Sequence, residues 1–193
     1  MKILKTGIGE VDKKVVDEAI KVLSDGGVVL YPTDTVYGLG ANIFNNPAVR
    51  RVFEIKQRSF LKPLSILVCD KRAINLVSKV SPHQMDVIDN YLPGSYTLIL
   101  KKKRIVPRVI TSGSTYVGVR VPANQLACRM ASLFPITTTS ANISDKEVLN
   151  TPQEILEQLD CDVDLVIDAG PLDGGKASVI VDLSENEPKI IRR

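Results

Sequence analysis

Segments of helical and strand period interleave along this chain without the regular strand-helix-strand spacing of a doubly wound fold, and that irregularity most limits its architecture. Val11, Val15, Val16, Ala19, Ile20 and Leu23 recur at helical spacing between Asp12, a candidate cap, and Gly26-Gly27, which predicts a first helix. Residues 28–31 read as a buried strand stopped by Pro32, and residues 64–68 as a second. Further helices are expected over residues 70–78, 82–92, 124–134 and 152–159, and strands over 96–100, 116–121, 136–139, 165–168, 178–183 and 189–192. The loops at 144–151 and 171–176 are polar or glycine-rich but short, so they join elements of one unit. The expected fold is α/β: a single domain over residues 1–193 with a twisted mixed β-sheet and surrounding helices.

Composition narrows the function classes. With 44% apolar and 24% charged residues, the chain reads as globular with a real core. No run approaches the ~18 apolar residues of a membrane span, and the N-terminus has only a two-residue apolar step before charge returns. A cytoplasmic protein without a membrane role is therefore expected. Cys69, Cys128 and Cys161 are odd in number, far apart and without a neighbouring histidine, which argues against a disulfide framework or a thiolate metal site. A net charge of +3 is too small to imply nucleic-acid binding by bulk electrostatics. The densest basic run, Lys101, Lys102, Lys103 and Arg104 with Arg108 beyond, reads as a charged strand end that blocks edge pairing. A contact for RNA phosphates is its functional alternative.

Candidate chemistry centres on residues 31–67, where a hydroxyl-bearing turn, YPTDT, precedes Lys56, Arg58 and Lys62, residue types suited to anions. Lys56 and Arg58 are two apart and share a side only where the chain is extended, so the preceding helix has to end by Lys56. Asn46 as N-cap and Pro47 as first helical residue open that helix, Val49, Val52 and Phe53 supply its buried stripe, and it ends near Ile55. Thr138, Ser140 and Asn142 place hydroxyls and a carboxamide at a strand's C-terminal end, where freed backbone N–H groups add to an uncharged anion pocket. Arg120 lies on the face opposite Val119 and Val121, where it can simply be exposed. The sole histidine, His83, sits at an apparent helix start and reads as a surface residue. With it discounted, no Ser-His or Cys-His pair and no carboxylate-histidine cluster remains, so covalent catalysis and a protein-held metal are not expected.

Five motifs in order, YPTDTVYGLGA at 31–41, Lys56-x-Arg58, Lys62-Pro63-Leu64, VGVRVP at 117–122 and TTSAN at 138–142, together resemble the YrdC-like threonylcarbamoyl-AMP synthases in their short, single-domain form. That resemblance implies a nucleotidyltransferase that joins L-threonine, bicarbonate and ATP into threonylcarbamoyl-AMP and pyrophosphate for threonylcarbamoyladenosine modification of tRNA. It implies Lys56, Arg58, Ser140 and Asn142 as the active-site set; Lys56, Arg58, Lys62, Ser140, Asn142 and Arg192 on ATP; and Thr35, Arg120, Thr138 and Ser178 on threonine, with Arg120 on its carboxylate. Mg²⁺ would arrive with ATP, and the product would pass to a downstream threonylcarbamoyl transferase complex, with tRNA contact possible. The chain departs from the family pattern at Ser95, Val148, Val179 and Arg193, all peripheral. The alternative is a double-stranded RNA or tRNA-binding module using the same basic concavity, for which a chain with no tryptophan and 5% aromatics offers little base readout.

Overall fold

The computed structural model describes residues 1–172, 176–185 and 187–192, so part of the 171–176 loop and Arg193 lie outside the described residues. In chain order the elements are β1 (Lys2–Lys5), α1 (Lys13–Ser24), β2 (Val29–Tyr31), β3 (Gly38–Gly40), α2 (Asn46–Ile55), β4 (Ser65–Leu67), α3 (Ile74–Val77), β5 (Ser78–Lys79) and α4 (Pro82–Asp89). There follow β6 (Tyr96–Lys102), β7 (Tyr116–Arg120), α5 (Gln125–Met130), β8 (Ile136–Thr138), α6 (Pro152–Leu159), β9 (Leu165–Asp168), β10 (Val179–Asp182) and β11 (Lys189–Arg192). One ladder runs β1-β9-β2-β3 and a second runs β11-β10-β6-β7-β4-β8, with β5 alongside β6. Parallel and antiparallel pairings mix in both, as the irregular spacing predicts. β3 and β8 meet through the bridges Gly38 to Ser140 and Asn42 to Ile136, so the two ladders share a seam. No helix among the described residues is long and apolar enough to cross a membrane.

Strand alternation divides the core between the two sheet faces. On β2, Leu30 points to the larger cluster with Val49, Phe53, Ile66, Val119 and Val166. Its neighbours Val29 and Tyr31 point the other way, to a cluster with Val15, Ala19, Leu23, Leu126, Met130 and Ile167. α1 and α5 cover this second face, and α2 and α6 supply Val49, Phe53 and Ile155 to the first.

Three strands escaped the sequence reading: β1, β3 and the two-residue β5, whose first residue was expected to be helical. β1 pairs in parallel with β9 although Lys2 and Lys5 flank only two apolar residues. β3 is Gly-Leu-Gly, with no β-forming side chain at its ends. Its glycines are needed because the Tyr31 ring lies against them: a Cβ on Gly40 would sit 2.9 Å from Tyr31 Cε1. The helix expected at 70–78 shrinks to the single turn of α3, and the basic run ends an interior strand. β6 is flanked by β7 on one side and by β10 and β5 on the other, so Lys101 and Lys102 guard no free edge.

α2 begins one residue earlier than expected, since Asn45, not Asn46, caps it: Asn45 Oδ1 accepts from Ala48 N at 3.0 Å. Its other end departs more. Lys56 and Arg58 do not share a side of an extended segment; the chain turns there. Arg58 N donates to Phe53 O at 2.8 Å and Gln57 N to Glu54 O at 2.9 Å, the paired bonds of a Schellman cap, with Gln57 at φ +48°. That position favours glycine, because an L side chain in the left-handed region crowds the following carbonyl. Gln57→Gly is therefore expected to stabilise the protein by about 0.5–1 kcal/mol in urea denaturation, and a loss of stability would contradict the strained-cap assignment.

Candidate functional site

The face that buries Leu67 and Ile136 under α1 and α5 continues two residues along each strand into Ser65 and Thr138, where no helix covers it. A cavity of about 500 Å³ opens there, floored by β4, β6, β7, β8 and β10. The floor is deep at Gly118, where an added Cβ would meet Ser65 Oγ at 2.5 Å and Thr97 Cγ2 at 3.1 Å. Eight of the ten residues singled out from sequence line this cavity: Thr35, Arg58, Lys62, Arg120, Thr138, Ser140, Ser178 and Arg192.

Its inner end is a hydrogen-bonded cradle. Thr33 Oγ1 accepts from Thr35 N and Val36 N and donates to Val36 O at 2.7 Å. With that proton committed, Thr35 is the donor across the 3.0 Å contact between the two hydroxyls, and Thr35 Oγ1 accepts from Arg120 Nη2 at 2.9 Å. Arg120 is buried, not surface-exposed as its strand position alone allowed. Its Nη2 also donates to Asp34 Oδ1 at 2.5 Å, an ion pair whose side chains are only 6% and 10% exposed. Among the described residues the Nε of Arg120 is buried without a partner, a donor that no acceptor there satisfies. Beside it, Thr97 Oγ1 and Ser178 Oγ lie 2.8 Å apart, both buried. Asp34 and Thr97 carry no sequence signal of their own, since their partners lie 86 and 81 residues away.

The outer end is cationic. Arg58 is braced by Nε to Lys62 O at 3.0 Å and Nη2 to Pro63 O at 2.9 Å. Arg192 Nη2 donates to Ser178 O at 2.8 Å, tying the last strand to the cradle. Burial lowers the pKa of Arg58 and of Arg192, with Arg192 lowering the first further and Arg120 the second. Among the described lining residues there is no carboxylate. Nor is there, among the described residues, any group of three or more His, Cys, Asp or Glu side chains that could hold a metal ion.

Lys56 and Asn142 are not brought into the cavity with Arg58 and Ser140; they form the wall behind it. Lys56 is 1% exposed. Its Nζ donates to Ser140 O at 2.5 Å, Asn142 O at 2.7 Å and Asn142 Oδ1 at 3.0 Å, which uses all three ammonium protons. Asn142 Oδ1 accepts again from Ser140 Oγ at 2.6 Å, and Asn142 Nδ2 donates to Lys146 O at 2.7 Å. Lys56 and Asn142 thus stand behind the cavity lining while Arg58 and Ser140 form part of it, and the turn at Gln57 aims Lys56 and Arg58 in different directions.

Burial, with the Arg58 charge second, pushes Lys56 down to about 7 from its ordinary 10.5. Between those values the unfolded chain binds more protons than the folded one, so this group makes stability rise with pH; below about 7 the buried charge carries its full cost. Lys56→Met should lose that rise, so that wild type gains on the variant between about pH 6 and about pH 9 in denaturant titrations. A gap moving the other way would show that the three acceptors hold the proton against burial.

Against known proteins, the sequence model of the Sua5/YciO/YrdC family, described as telomere recombination, matches residues 21–193. A Methanocaldococcus jannaschii relative, provisionally named a threonylcarbamoyl-AMP synthase, is 42% identical over 180 residues, covering 93% of this chain and 86% of its own. The crystal structure of Pyrococcus abyssi Sua5 complexed with L-threonine matches at a TM-score of 0.92 and 33% identity over 100% of this chain, which spans 57% of the Pyrococcus protein. Escherichia coli YciO matches at a TM-score of 0.91 and 29% identity, over 100% of this chain and 96% of that one.

Proposed function

Because the chain belongs to the Sua5/YciO/YrdC family, we propose that it is an L-threonylcarbamoyladenylate synthase, making threonylcarbamoyl-AMP and pyrophosphate from L-threonine, bicarbonate and ATP. The observation that carries this reading is the polarity of one cavity: among the described residues it has a buried guanidinium with an unpartnered donor at the inner end, three cations at the outer end and no lining carboxylate. An amino acid at one end and a polyphosphate at the other match it. The related Pyrococcus abyssi Sua5 is complexed with L-threonine in its crystal structure.

In the reaction, the threonine amine attacks bicarbonate or CO₂ to give a carbamate, with water lost in the first case. A carbamate oxygen then attacks the α-phosphorus, forming the O–P bond as the bond to pyrophosphate breaks. Both steps run through anions and need positioning and charge stabilisation more than a side-chain base. Arg120 holds the amino acid's carboxylate through its remaining N–H groups, with Thr35, Thr138 and Ser178 around the rest. Arg58, Lys62 and Arg192 take the phosphates. Ser140 faces the adenylate end from a loop that Lys56 and Asn142 hold in place. Asp34 is already paired with Arg120 and no other carboxylate lines the cavity among the described residues, so Mg²⁺ would come with ATP and would supply charge neutralisation at the phosphate end. The product leaves for a cytoplasmic transferase that modifies tRNA. The RNA-module reading is weaker, because the chain has no tryptophan and only 5% aromatics for base readout, and Lys102 and Lys103 each already donate to a backbone carbonyl.

Arg58→Ala is expected to lower turnover about 100-fold, on the scale of about 3 kcal/mol for a lost transition-state charge contact, in a protein that remains folded. Near-normal turnover would remove Arg58 from the reaction. Pyrophosphate release, followed by a coupled assay with each component omitted in turn, should require ATP, threonine and bicarbonate together and should not require tRNA. Release from ATP alone would indicate a nucleotide pyrophosphohydrolase instead.

A further inference from the structure

One carboxylate approaches the cationic end of the cavity from its rim. Asp145 Oδ2 lies 2.7 Å from Lys62 Nζ, with side chains 77% and 50% exposed respectively. The backbone that presents it is strained. Lys146 N donates to Ile143 O at 3.0 Å, closing a four-residue turn whose third position is Asp145 at φ +66°. Glycine or asparagine usually occupies such a position, since a side chain there crowds its own backbone. The turn is also pinned from below. Asn142 Nδ2 donates to Lys146 O at 2.7 Å, and Ser144 N donates to Lys56 O at 2.8 Å. The same Lys56 and Asn142 that hold Ser140 therefore fix where the Asp145 carboxylate stands.

We propose that Asp145 is a built-in counter-anion for the phosphate end: its carboxylate occupies Lys62 while the pocket is empty and is displaced by an incoming di- or triphosphate, so that it weakens phosphate binding and favours departure of pyrophosphate. This rests on the nucleotide reading of the cavity. The carboxyl is well placed for the part, since Lys62 first, and Arg58 and Lys56 behind it, hold it below the usual carboxylate range. An exposed pair of this kind exchanges readily, and its removal shifts an equilibrium by about two- to fivefold. The negative charge also stands at the rim beside Lys62, a lining residue, which adds in the same direction and fades with salt.

The test is calorimetric titration of inorganic pyrophosphate and of MgATP into wild type, Asp145→Asn and Asp145→Gly, with threonine titrated as the control for the opposite end of the cavity. Asp145→Asn removes the charge at constant shape; Asp145→Gly removes charge and backbone strain together. Both variants should bind pyrophosphate about two- to fivefold more tightly than wild type, with the difference shrinking as salt is raised. Equal or weaker binding by both would overturn the proposal, making Asp145 a bystander or a brace for Lys62. Tightening in Asp145→Gly alone would also overturn it, because strain and not charge would then set the affinity. A wild-type protein that takes up neither pyrophosphate nor MgATP would overturn it together with the nucleotide reading itself.

Discussion

A single buried ammonium holds the site together. Lys56 leaves the end of α2 and fastens three acceptors on residues 140 and 142, which joins the helix side of the cavity to the loop after β8. A point charge with three rotatable donors suits three acceptors that converge on one atom, whereas a guanidinium spreads its donors over a planar fork. Removing it would leave Asn142 O without a partner among the described residues, while Ser140 O keeps Asn142 N and Asn142 Oδ1 keeps Ser140 Oγ; a buried group so stranded costs more than the bond that satisfied it contributed. Arg58, two residues on, lines the cavity instead, braced by the carbonyls of Lys62 and Pro63.

The cavity itself is a consequence of incomplete coverage. One sheet face is buried by α1 and α5 at one end and left open at the other, so Ile136 and Leu67 become core while Thr138 and Ser65, two residues along the same strands, become lining. Hydroxyls are the natural occupants of that boundary. They pair with one another, as Thr97 does with Ser178 and Thr35 with Thr33, and still keep capacity for a ligand. The charge is then partitioned by depth: the deep guanidinium has its own carboxylate in Asp34, while the outer cations lean on backbone carbonyls.

What the sequence made legible divides along physical lines. α6, β9 and β11 stand where Pro152, the apolar run and the closing basic strand put them, because local signals decide those bounds. β3 was not legible, since what makes Gly38–Gly40 a strand is a tyrosine ring seven residues earlier, and propensity alone points away from it. The motif residues gather around one cavity as the resemblance implied, yet Lys56 and Asn142 fall behind its wall because one left-handed residue, Gln57, redirects the chain. Asp34 and Thr97 were invisible for a different reason. Their importance exists only in pairs closed by tertiary folding.

The parallel pairing of β1 with β9 bears on how the protein is born. β9 is also the neighbour of β2, so residues 165–168 form the spine on which both early strands lie. On the ribosome β1 emerges before β9 and has no partner on that side until residues 165–168 are made. Until then α1 has half a surface to cover, and Val29 and Tyr31 lack the neighbours that bury them. Long-range parallel pairing is slow to nucleate even in a finished chain. The nascent protein therefore spends its synthesis as an unclosed sheet, dependent on Lys2 and Lys5 to discourage foreign strands from the place reserved for the ninth.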